Sequence, residues 1–132
     1  MAVAKFREPN RARWVGVRPG HDGEQVMILG AIVNATAIVY TVPAGKMLYL
    51  CEWMLADMDN ATGAMYFSIR NVADVWVRDL AGIRIVVASS WISDHGNAWP
   101  PIEVPAGYDL YAYSSGAGLT ARCSAHGWIE SV

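Results

Sequence analysis

The sequence predicts an all-β domain: an antiparallel two-sheet β-sandwich of the jelly-roll kind, with about eight strands and an extended N-terminal arm. Three observations carry this. Apolar side chains alternate with polar ones at a period of two. Runs rich in Val, Ile, Thr and aromatic residues are separated by short clusters of Pro, Gly, Asn, Asp and Ser. No segment sustains a helical period. At 132 residues the chain fits one domain, and a domain of this length buries roughly two-thirds of its unfolded surface without help from a disulfide or metal. With 54% of its residues hydrophobic and only 17% charged it is not a disordered chain. So much apolar material on a small domain also implies that a partner covers part of the surface.

The first element, residues 1–20, is a basic arm and loop; residues 21–132 form the sandwich. The arm carries Lys5, Arg7, Arg11, Arg13 and Arg18 against Glu8, a net charge of +4, which leaves −6 on the remainder of a chain whose total is −2. Its apolar periodicity is too weak for it to fold alone, yet Phe6 and Trp14 stand among Lys5, Arg7, Arg11 and Arg13. Such a segment orders when it docks on an acidic, partly apolar groove. Nucleic acid is not the expected partner, because the body is acidic and shows no recognition motif. Lys5, Arg7 and Glu8 interrupt any apolar signal-peptide core, so synthesis in the cytoplasm is expected, and the Asn-x-Thr triplets at Asn34 and Asn60 carry no glycosylation argument.

Strands are predicted at Gln25–Val33, Thr36–Val42, Lys46–Ala56, Ala64–Asn71, Val75–Asp79, Ile83–Ile92, Tyr108–Tyr113 and Leu119–Ile129. Turns are expected at Asp94-His95-Gly96-Asn97 and Pro100-Pro101, among others. Residues 25–45 hold no charge, but Val, Ile and Thr dominate, Asn34 interrupts the middle, and Pro43 with Gly45 closes the run. Two short strands explain that pattern better than a membrane-spanning helix, so no membrane is expected. In Leu119–Ile129 the odd positions are apolar and most even ones polar; Met65, Phe67 and Ile69 likewise face away from Ser68 and Arg70.

Val42-Pro43-Ala44-Gly45-Lys46-Met47-Leu48-Tyr49 recurs as Val104-Pro105-Ala106-Gly107-Tyr108-Asp109-Leu110-Tyr111. Pro ends one strand and Gly turns into the next. The even offset matches the faces, so Leu48 and Leu110 point inward and Tyr49 and Tyr111 outward. Strict alternation adds Met47, Cys51 and Trp53 to the first outward set and Tyr113 to the second. If both strands share a sheet, Met47, Tyr49, Trp53, Tyr111 and Tyr113 form one apolar patch, read as a homo-oligomer interface in preference to a ligand platform.

The chain shows no phosphate-binding glycine loop, dinucleotide fingerprint or nucleophile elbow. His21, His95 and His126 lack ligand spacing, and Cys51 and Cys123 fall inside strands, where buried free thiols are the default. Asp57, Asp59, Asp74 and Asp79 sit near turns, where Asp is common. No catalytic, cofactor or metal residues are therefore assigned, and the protein is not expected to be an enzyme.

From Tyr40 to Trp128 the chain resembles small virion proteins of tailed bacteriophages, in particular jelly-roll head decoration (cement) proteins. The likeness is carried by Tyr40-Thr41-Val42-Pro43-Ala44-Gly45-Lys46, by Val104-Pro105-Ala106-Gly107-Tyr108, and by Gly118-Leu119-Thr120-Ala121-Arg122 through His126-Gly127-Trp128. It implies a homo-oligomer, a trimer, seated on the outer surface of a capsid, with an extended terminal arm reaching neighbouring subunits. The charges and aromatics of Lys5, Phe6, Arg7, Arg11, Arg13 and Trp14 are read as a capsid-binding arm, with the major capsid protein as partner. The alternative is a carbohydrate- or receptor-binding module of a tail or fibre, with Trp53, Trp76, Trp91 or Trp99 as stacking platforms.

Overall fold

Among the described residues there are eight strands: β1 (Glu24–Val33), β2 (Thr36–Thr41), β3 (Lys46–Asp57), β4 (Ala61–Arg70), β5 (Trp76–Ser89), β6 (Ile92–Pro105), β7 (Asp109–Ser114) and β8 (Thr120–Ser131). The computed structural model describes residues 23–89 and 92–132. The first sheet has the order β1-β8-β3-β6 and the second β2-β7-β4-β5, with every paired neighbour antiparallel. Every connection crosses between the sheets except β4 to β5. This is the strand order of a jelly roll.

The inner faces hold the core, and the alternation read from the sequence is seen in β4 and β8. Met65, Phe67 and Ile69 meet Ala121, Cys123 and Ala125, together with Leu48, Leu50, Leu55 and Leu110, all nearly or wholly excluded from water. Cys51 and Cys123 are buried and unbridged.

The repeated Val-Pro-Ala-Gly phrase forms a matched pair of corners, one leading from β2 to β3 and the other from β6 to β7. In each, the residue after Gly donates its backbone N–H to the Pro carbonyl: Lys46 to Pro43 and Tyr108 to Pro105, both at 3.2 Å. Gly45 and Gly107 have φ of 74° and 80°, as the third position of such a turn requires. The corners also bind each other, Val42 N–H donating to the Tyr108 carbonyl and Gly107 N–H to the Val42 carbonyl, both at 2.9 Å. Val42 and Val104 plug the core beneath them.

Two stretches depart from the sequence reading. Val75–Asp79 and Ile83–Ile92 are largely one strand, β5; Leu80 is an extra residue in its ladder, since Ala81 faces Phe67 and Asp79 faces Ser68. That bulge, followed by Gly82, imitates a turn. The segment expected to hold two turns is instead β6. It is an edge strand, and Ala98–Pro101 leave the ladder between Asn97, opposite Glu52, and Ile102, opposite Leu50. Prolines are tolerated there because no ladder donor is required of them.

A third correction concerns Trp53. The same irregularity makes Cys51 the extra residue on β3, between Leu50 opposite Gly127 and Glu52 opposite His126. One added residue reverses the alternation. Met47 and Tyr49 face outward, but beyond Cys51 it is Glu52 and Met54 that do so. Trp53 turns inward against the core and donates its indole N–H to the Leu80 carbonyl of the second sheet at 2.8 Å. It does not share the outward face expected for it.

Candidate functional site

The strand register lays out the outer face of the first sheet row by row. Met27, His126, Glu52 and Asn97 stand opposite one another across β1, β8, β3 and β6, and Leu29, Ser124, Met54 and His95 form the next row. A trough of about 510 Å³ opens over these rows. His95 and His126, distant in sequence, are thus brought to one trough on either side of β3. Among the described residues, no three His, Cys, Asp or Glu side chains converge as metal ligands would.

Toward the other end of this face the row is Gln25, Trp128, Tyr49 and Glu103. The Tyr49 and Trp128 rings stack at 5.3 Å between centroids, 15° from parallel, and the Trp128 indole N–H donates to Glu130 at 2.7 Å. Trp128 is only 1% exposed although it points away from the core cluster and is no member of it.

The second sheet presents a different aromatic surface. Tyr113 lies opposite Thr36 and Tyr66, and Tyr111 opposite Ile38 and Ser68. Tyr66 and Tyr113 stack at 5.7 Å. The Arg70 guanidinium sits 4.5 Å over the Tyr111 ring, a cation–π contact. A hydrogen bond to Asp74, then burial, raises the Tyr111 phenol above its ordinary pKa.

The residues singled out from the sequence therefore divide. Met47 and Tyr49 lie on the outer face of the first sheet, Tyr111 and Tyr113 on that of the second, and Trp53 points inward. The sequence joined the two sets only if both strands shared a sheet; β3 and β7 belong to opposite layers, so no single patch joins all five residues. Lys5, Phe6, Arg7, Arg11, Arg13 and Trp14 lie outside the described residues, as do His21 and Trp91. Trp76 and Trp99 are exposed.

Residues that alternation alone did not single out complete the apolar surface. Met27 and Leu29 on edge strand β1 are 67% and 72% exposed, Val33 continues their line, and Ile38, Tyr66 and Trp76 are exposed on the second sheet. Their signal was present in Met27, Leu29 and Val33, which alternate with the inward Val26, Ile28 and Ile32. At the end where β3 leads to β4, Asp59 accepts from the Thr120 backbone N–H at 2.8 Å and from Arg122 at 3.2 Å. The Thr120 hydrogen bond above all, then Arg122, holds the Asp59 carboxyl below its usual range.

No family model matches the chain, and no curated protein matches it. Among solved structures, a chain of "Structure of infectious bursal disease virus Gt strain" is similar at 10% identity and a TM-score of 0.32. The match covers 88% of this chain and 36% of that one, so this chain spans about a third of the other's length.

Proposed function

We propose that the protein is a non-enzymatic virion structural protein, a decoration or cement protein that self-associates, as a trimer, and binds the outer surface of a phage capsid. The observation that carries this reading is the placement of apolar side chains on the outside of both layers: Met27, Leu29 and Val33 on the first sheet, and Ile38, Tyr66 and Trp76 on the second. A sandwich apolar on both outer faces has a surface for its own copies and another for a lattice. The jelly-roll strand order supports the reading by analogy, since viral capsid domains use it, although lectins use it too. The test is sedimentation of the purified full chain with particles that lack it. Saturable co-sedimentation is the expected result; a chain that stays in the supernatant overturns the proposal.

The second reading, a carbohydrate-binding module, is favoured by one observation. The exposed Trp76 and the stacked Tyr66–Tyr113 pair lie on the same sheet. Flat aromatic surfaces of this kind accept sugar rings. Specific glycan-array binding by the full chain, abolished by Trp76→Ala, would favour this reading over the first.

A further inference from the structure

The open edge of a sheet presents free N–H and C=O groups to any extended strand, and edges that stay unpaired carry features that prevent pairing. Among the described residues, β1 and β6 are the edges of the first sheet and β2 and β5 those of the second. Three of these strands are protected. β2 is six residues long and its ladder shifts between Ile38 and Tyr40. β5 holds Arg78, Asp79 and Arg84, and its ladder with β4 is irregular at three places. β6 holds Asp94, Glu103, Pro100 and Pro101, and its ladder is interrupted between Asn97 and Ile102.

β1 has none of these devices. Its ten residues pair with β8 in unbroken register, and they include no proline. After Glu24 the strand carries no charge, and Gln25, Met27, Leu29, Ala31 and Val33 are exposed on its outer side. A charged segment would find no opposite charge along this edge, so an uncharged strand fits it. A second copy of the chain supplies one. The uncharged stretch Gln25–Val33 is centred on Leu29, so antiparallel pairing of two copies overlaps it completely when Leu29 faces Leu29. In that register Met27 meets the partner's Ala31 and Gln25 meets the partner's Val33. Paired residues differ by an even number, so every side chain keeps its face. Each Glu24 falls beyond the overlap, opposite the partner's Asn34, and the two carboxylates lie at opposite ends of the contact. β2 lies beneath the same edge, where a Cβ at Gly30 would stand 2.9 Å from the Val39 side chain. With a paired stretch about 30 Å long and layers about 10 Å apart, the contact covers on the order of 600 Å² per copy, the lower end of stable interfaces.

We infer that β1 pairs antiparallel with β1 of a second copy, joining two first sheets into one continuous sheet about a two-fold axis at Leu29. The inference rests on the self-association in the reading above and not on the capsid. A two-fold contact at β1 leaves the Tyr66–Tyr113 face of the second sheet free for a three-fold one, and the two contacts together close as six copies.

The test uses the full chain in solution without particles, so failure to bind particles leaves it untouched. Cys51 and Cys123 are buried, so an added surface cysteine is the one that reacts. Mild oxidation of Leu29→Cys should give a reducible covalent dimer, whereas Val86→Cys, exposed on edge strand β5, should stay single. Met27→Cys should cross-link with Ala31→Cys chains and far less with itself. Hydrogen exchange of the unsubstituted chain measures the same contact without a mutation. The β1 amides that do not bond to β8 should slow about tenfold as the protein is concentrated into the association range. Leu29→Cys chains that fold but do not cross-link would overturn the inference. So would exchange of those amides that is equally fast, or equally slow, at every concentration: the first leaves the edge open and the second has it covered within one chain.

Discussion

Trp53 lies against Gly96 on the neighbouring strand so closely that a Cβ at Gly96 would stand 2.8 Å from its indole ring. The glycine is the seat of the ring, and the ring in turn ties the first sheet to the Leu80 carbonyl of the second. Gly96→Ala should therefore destabilise the fold by about 1–3 kcal/mol, as overpacking does. Trp53→Phe should cost about 1 kcal/mol or more through the lost indole hydrogen bond. Chemical denaturation measures both, and a neutral Gly96→Ala would show that the ring is not seated there.

The same inward turn separates two substitutions that alternation would treat alike. Trp53→Glu places a charge among core side chains and should abolish cooperative folding. Tyr113→Glu replaces an outward ring of the Tyr66 stack and should leave the β circular-dichroism signal intact while weakening self-association. Light scattering beside circular dichroism distinguishes them. Loss of folding in Tyr113→Glu would assign that ring to the core.

Asp59 predicts a pH dependence. Its carboxyl pKa is depressed by the Thr120 N–H and Arg122. The stability it contributes is therefore fully present above the unfolded carboxylate pKa and is lost as pH falls through the lower folded value. Asp59→Asn should melt below wild type at pH 7, and the gap should close from about pH 4 downward. A gap that is constant across that range would remove the charge from the explanation.

The Cys123 thiol is pushed up to about 11 by burial. It should resist Ellman's reagent in the native protein at pH 8, because the thiolate is the reactive form. Both thiols should react on unfolding. Rapid native labelling of Cys123 would mean that β8 opens locally.

What the sequence made legible follows from where alternation is unbroken. β8 and β4 run without a bulge over their core stretches, so the inward positions Ala121, Cys123, Met65 and Phe67 could be named in advance. The Val-Pro-Ala-Gly repeat disclosed both corners because Gly at positive φ and Pro at a strand end act locally. Bulges are decided by the partner strand: Cys51 and Leu80 look ordinary in sequence, yet one reverses the face of Trp53 and the other resembles a turn. The Pro-rich β6 was hidden for a similar reason, since only its edge position makes Pro100 and Pro101 tolerable. Strand order was equally out of reach of the pattern. The candidate surface was legible residue by residue in Tyr49, Tyr111 and Tyr113 but not as an arrangement, because their strands lie in different layers.

The exposed apolar line of Met27 and Leu29 is where the account of an assembling virion protein can fail most directly. On the proposed reading a virus encodes the chain, and the measurement is quantitative mass spectrometry of that virus's purified particles, for wild type and for Met27→Glu/Leu29→Glu. The account predicts wild-type chain in fixed stoichiometry to the major capsid protein, and strong depletion of the double variant from particles despite normal folding. Particles that contain none of the wild-type chain, or that retain the variant at the wild-type ratio, would contradict it.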